Sequence, residues 1–379
     1  MASTTTGNAA WNWTRATAWI AAASVGAGLL TACAGQTRGS GASATPASDA
    51  SAAGPGSVTA AGSSAAAAVP DAAAIARIRE RAIGVVEESS RHADGQVRGY
   101  ASEAASIVPR RLGEVIVRLL EDPAPGVRAM AAISAGRASL RDAQPRLQAL
   151  LTDESPFVRA GAIYGLSKSG AAVDPSPLGA MLVDDSMAIR SQAAWVLGEL
   201  GNRSALAMLR AAAVEGVSRA RPVEVTLFQL QVAEARVKLG DNEPLEGIRA
   251  ALYPARPEDL EAAVLAVQIL GEVKDRGAMD QLIYLTQYRD PRGNAMPVEF
   301  RLAVAIALAK MGLDRGAFLA DEVWQDPSEP VRVQAATVYG YTARAQQLAR
   351  LDAMLSDPSP MVRVAAAGAI LRSQSRAGR

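Results

Sequence analysis

The chain is poor in reactive groups. It has 379 residues, and one histidine and one cysteine leave little material for catalysis. His92 sits in "SSRHADG", which reads as a turn. Without a second imidazole, neither a His-rich metal site nor a Ser-His-Asp triad can be assembled. Phosphate loops of the G-x-x-x-x-G-K-[ST] or G-x-G-x-x-G kind are missing, and so is a G-x-S-x-G elbow. No catalytic residue, metal or cofactor is therefore expected, and the chain reads as a non-enzyme. Net charge is missing too. The 39 Lys+Arg against 38 Asp+Glu give no polyelectrolyte character, so nucleic acid is not an expected partner. Aromatics make up only 4% while hydrophobic residues reach 49%. Ala, Leu and Val must do the packing, which favours closely packed helices over a β-sandwich.

The chain also lacks an apolar run long enough to span a bilayer. The run "ATAWIAAASVGAGLL", Ala16 to Leu30, follows Arg15. Its 15 residues fall short of the ~20 a spanning helix needs and suit a signal-peptide core. It ends in Leu30-Thr31-Ala32-Cys33. This resembles the bacterial lipobox, which implies diacylation of Cys33, the only thiol, once residues 1–32 are removed. Two acyl chains on one residue anchor firmly. Ala34 after the cysteine implies, by the same resemblance, the periplasmic face of the outer membrane in a two-membrane host. Residues 33–69 form a tether. Ala, Ser and Gly supply 26 of these 37 positions, too little apolar surface to order a segment. As a coil it spans roughly 30–35 Å.

From residue 70 to 379 the chain repeats itself. "DPSEPVRVQAA" at 326–336 returns as "DPSPMVRVAAA" at 357–367, 31 positions on. An Asp lies six residues before an Arg in Asp122/Arg128, Asp153/Arg159, Asp184/Arg190, Asp326/Arg332 and Asp357/Arg363. The spacing from Arg128 to Arg159 to Arg190 is 31 each time. Each unit reads as an amphipathic outer helix (Leu112, Val115, Ile116, Leu119), an Asp/Pro turn, and an Ala-rich inner helix closed by glycine. These residues resemble the short HEAT-like repeats of the phycobilisome-lyase type. The best match is "IRSQAAWVLGELGNRSALAML" at 189–209, and the pattern loosens between about 215 and 300. The resemblance implies an all-α fold, a right-handed α-solenoid of about nine hairpins with the inner helices on a concave groove. It also implies that the Asp and Arg residues form a structural ladder between layers. The absence of His-Glu pairs excludes the di-iron hydroxylase that shares this architecture.

Two surfaces are candidates for a partner. Tyr164 and Trp195 fall in one column of the inner helices, facing the expected groove. Arg219, Arg221, Arg256, Arg289 and Arg292 lie in long turns of the irregular middle and are expected to crowd into a basic edge. The expected function is a membrane-anchored, protein-binding scaffold of the bacterial cell envelope. The alternative is a lyase-like enzyme or accessory holding a small ligand in the groove.

Overall fold

A computed structural model describes residues 71–214, 220–290 and 293–377. Cys33, the signal segment, the tether, Arg219 and Arg292 lie outside the described residues.

Nine hairpins follow one another among those residues. The inner helices are α2 (Gly95–Ala105), α4 (Pro125–Arg137), α6 (Pro156–Lys168), α8 (Met187–Leu200), α10 (Pro222–Lys238), α12 (Leu260–Glu272), α14 (Val298–Lys310), α16 (Glu329–Thr342) and α18 (Pro360–Ala377). The outer helices are α1 (Ala72–Ser89), α3 (Pro109–Leu119), α5 (Gln144–Ala149), α7 (Pro177–Met181), α9 (Leu206–Val214), α11 (Leu245–Ala250), α13 (Met279–Leu285), α15 (Ala317–Val323) and α17 (Ala345–Met354). Apart from short 3-10 turns, the described residues add only one isolated bridge between Arg289 and Ala295.

Alanine and glycine set the spacing of the inner layer. A methyl group on Gly198 would meet the Ala235 Cα at 2.7 Å, and one on Gly340 would meet the Ala369 Cα at 2.8 Å. Neighbouring inner helices therefore touch backbone to backbone. Seven of the nine inner helices end in a common left-handed joint. Gly170, Gly201, Gly240 and Gly312 adopt φ between +78° and +88° there, and Ser139, Lys274 and Ala343 take the same joint at φ +50° to +54°.

The Asp/Arg frame is a ladder between layers. The guanidinium of Arg98 donates Nε and Nη2 to Asp122 at 2.7 and 2.8 Å. Arg128 does the same to Asp153 at 2.8 and 3.1 Å, and Arg332 to Asp357 at 2.9 and 3.0 Å. The remaining Nη1 of Arg128 and Arg332 donates to carbonyls of its own turn, Asp122 at 2.9 Å and Asp326 at 2.8 Å. Each Asp also accepts an N–H two residues on, as Asp153 does from Ser155 at 2.9 Å. The ladder is incomplete. Arg159 and Arg363 bond only the carbonyls of their own turns, and Arg190 donates to the carbonyls of Asp184 and Val183. After α8 the next turn carries no aspartate to receive a rung. A second ladder on the outer helices takes over. Arg210 donates to Asp241 at 2.9 Å, and Arg249 to Asp275 through two bonds of 2.7 Å.

The solenoid does not stay open. Each inner helix packs on the next from α2 to α18, and α18 packs on α2 and α1. One apolar core runs through this seam, from Ile78 and Ala101 to Ile370 and Leu371. Small residues permit the closure, with an ideal Cβ on Gly368 only 3.4 Å from the Cβ of Ala104. The expected concave groove is thus the wall of a half-open central cavity. A repeat pattern specifies how neighbours stack. The small rotation from each unit to the next, here one ninth of a turn, decides whether the ends meet.

Candidate functional site

All nine inner helices aim side chains at the ring axis. Three positions on each share that face, spaced as i, i+3 and i+7. Near the amino ends are Tyr100, Gln192 and Gln334, all buried. Midway are Glu103, Tyr164 and Trp195. In the last turns are Arg137, Glu199, Lys238, Glu272 and Lys310, with Tyr341 and Arg372 at the matching places. The cavity they enclose is about 370 Å³. Its mouth, at the carboxyl ends of the inner helices, holds partly exposed side chains such as Arg137 (30%) and Glu272 (48%).

The mouth is a circuit of opposite charges. Lys238 Nζ contacts Glu199 Oε1 at 2.5 Å and Glu234 Oε1 at 2.6 Å. Lys310 Nζ contacts Glu272 Oε2 at 2.8 Å. Arg137 and Arg372 converge on one oxygen of Glu103, at 3.7 and 3.9 Å. The Lys310 ammonium pulls the Glu272 carboxyl down to about 2, against the effect of its burial. Burial raises the Tyr164 phenol. Burial would also raise the Tyr341 phenol, but Arg372 and Lys310 beside it win and hold it below its ordinary value. Arg372 stacks over the Tyr341 ring at 4.7 Å.

Tyr164 and Trp195 do line this cavity. They also pack on one another, with centroids 5.3 Å apart and planes tilted by 42°, and are only 4% and 7% exposed. They are wall residues shared by adjacent layers rather than free anchors on an open face. The described arginines of the basic edge find partners within their own turns. Arg221 pairs with Glu224 at 2.6 Å and Arg256 with Asp259 at 2.9 Å, while Arg289 donates to the Gly293 carbonyl at 2.9 Å. His92 accepts the Asp94 N–H on Nδ1 at 3.0 Å, inside its turn. Among the described residues, no group of His, Cys, Asp and Glu is placed to hold a metal ion, and no helix is long and apolar enough to cross a membrane.

The mouth circuit escaped the sequence. Its column advances by 31 residues from Lys168 to Glu199, then by 39 to Lys238, 34 to Glu272 and 38 to Lys310. A constant 31-residue frame cannot align these. The outer ladder was hidden likewise, although an Asp directly after two of the helix-ending joints, Asp241 and Asp275, was its visible signal.

Residues 113–186 match the family model for HEAT repeats. A search of curated proteins found no match. Among solved structures, an engineered protein matches at 16% identity and TM-score 0.30, covering 81% of this chain and 92% of that one. Human deoxyhypusine hydroxylase in complex with glycerol matches at 17% and 0.34, covering 79% and 98%. The CpcE–CpcF complex of phycocyanin lyase from Nostoc sp. matches at 17% and 0.28, covering 76% and 91%. At these values, function has to be argued from the chain's own residues. The HEAT-repeat match thus covers residues 113–186, and the described residues as a whole stack as an α-solenoid closed into a ring.

Proposed function

We propose that this protein is a lipid-anchored, non-enzymatic scaffold of the bacterial cell envelope, holding a protein partner on the outside of its ring. One observation carries the reading. Among the described residues, the large exposed apolar side chains gather on the outer helices of four consecutive hairpins and on the turns that follow them. They are Val183 (52%), Met208 (39%), Val214 (86%), Tyr253 (45%) and Tyr284 (58%). Val183, Val214 and Tyr253 occupy one repeat position, because their steps of 31 and 39 residues equal those of the mouth column. Tyr284 lies beside Tyr288, with centroids 5.6 Å apart. A row of apolar groups across stacked layers is a surface that a partner can cover.

The chemistry of the cavity fits a non-enzyme. A Glu272 carboxyl held at about 2 cannot serve as a general acid near neutrality, and the other cavity acids each contact a cation. The anchor rests on the Leu30–Cys33 motif.

Crosslinking pull-down from host membranes tests the scaffold. The double variant Tyr253→Ser/Tyr284→Ser is expected to lose the captured protein at an unchanged melting temperature, and retention of the same partner would refute the outer surface. Cys33→Ser is expected to move the protein from the detergent to the aqueous phase. If it stays in detergent, the anchor is wrong. The central cavity favours a second activity, the binding of a small ligand.

A further inference from the structure

We propose that the cup at the centre of the ring binds a small zwitterion of amino-acid to dipeptide size, its carboxylate at Arg137 and Arg372 and its ammonium at Glu199 and Glu234. The site is independent of the membrane anchor and of the outer surface.

Size comes first. About 370 Å³ lies at the low end of ligand pockets, which run ~300–1,000 Å³. The distribution of charge comes second. Four carboxylates and four cations line or back the cup, but they are not matched one to one around it. On one side, where α18, α2 and α4 meet at the seam, two guanidinium groups converge on Glu103 at 3.7 and 3.9 Å, beyond hydrogen-bond reach. On the other side, at α8 and α10, Glu199 and Glu234 share the ammonium of Lys238. Glu234 also accepts from the Gln231 amide, and Lys168, outside the cup, reaches Glu199 through its carbonyl rather than its carboxylate. Only Glu272 and Lys310 form a simple pair. The cup therefore has a positive pole and a negative pole, with Tyr164 and Trp195 on the wall between them. A molecule with a carboxylate at one end and an ammonium at the other matches it.

The helix dipole does not account for this pattern. Cations in the last turn of a helix complement its carboxyl end, which suffices for Arg137 and Lys310. Glu199 and Glu234, in contrast, lie near the carboxyl ends of α8 and α10, where the dipole disfavours an anion. Arg372 lies five residues before the end of α18.

A third observation points to a ligand. A recess of about 60 Å³ opens off the cup and shares Glu103, Lys310, Tyr341 and Arg372 with it. The Tyr100 hydroxyl and both amide atoms of Gln334 face burial there without a hydrogen-bond partner, in residues 8% and 2% exposed. A recess of this size has room for a few water molecules or a small polar group. Buried polar atoms of this kind are costly unless something answers them.

The test is calorimetric titration of the full-length protein in detergent with the free L-amino acids and alanyl dipeptides, each to about 10 mM, alongside the thermal shift. At least one zwitterion is expected to bind. Its des-amino and decarboxy analogues are then each expected to bind roughly tenfold or more weakly. Arg372→Gln should abolish the preference for the zwitterion over the decarboxy analogue, and Glu199→Gln the preference over the des-amino analogue. Two results overturn the proposal: no member of the panel binding, or analogues binding as well as the zwitterion. The analogue comparison uses unaltered protein, so it stands even if a variant misfolds.

Discussion

Ring closure can be tested by a covalent bond that an open solenoid could not form. In a Cys33→Ser background, Ala104→Cys and Gly368→Cys place two thiols across the seam. An ideal Cβ at 368 lies 3.4 Å from the Cβ of Ala104, just under the ~3.5–4.5 Å that disulfides span, so a shift of a few tenths of an ångström seats the bond. No third atom lies within 4 Å of it. In an open array the same residues would be separated by eight interhelical spacings of about 8–10 Å each, more than ~60 Å along the stack. The bond would close a loop of 264 residues (368 − 104), and chain entropy over that length gives up to about 5–6 kcal/mol. Unfolding entropy of about 2 cal/mol/K per residue over ~300 residues converts this into a rise of up to about 9 °C in melting temperature. Maleimide labelling with mass spectrometry counts the free thiols, and a thermal scan with and without reductant reads the stabilisation. Two thiols that stay reactive in oxidised, folded protein would refute the closed ring.

Three further outcomes are expected. Asp153→Asn removes the charge from a rung whose carboxylate is 9% exposed, at a cost of about 1–3 kcal/mol by chemical denaturation. Burial alone would raise the Asp153 carboxyl, but the Arg128 guanidinium and the Ser155 N–H outweigh it and hold it below its ordinary value. The rung thus stabilises fully above the unfolded value of ~3.9 and fades as pH falls through the depressed folded one, so the gap between wild type and variant should close in acid. At the left-handed joints, Gly201→Ala should cost about 1–2 kcal/mol from φ +78° alone, since no atom lies within 4 Å of the added methyl. Ala343→Gly, at φ +53°, should be neutral or stabilising by a few tenths of a kcal/mol, because relief of strain offsets the added chain entropy. Trp195→Ala should cost about 3–5 kcal/mol, as for a buried wall residue, and an unchanged melting temperature would contradict its packing on Tyr164.

The sequence by itself determined whatever depends on neighbours. An Asp six residues before an Arg, repeated every 31 residues, specified the hairpin, its turn and the rungs at Asp122, Asp153 and Asp357, because all these contacts lie within one unit or between adjacent units. The alanine-rich inner face and the helix-ending glycines were legible for the same reason. Tertiary structure alone decided what depends on the sum of many small rotations. The meeting of α18 with α2, the sharing of Glu103 by Arg137 and Arg372, and the turning of a groove into a cup arise only after nine units have accumulated their angles. Insertions in the middle units shift the lumenal column by unequal steps, so its charges find partners in space that no fixed period along the chain could reveal.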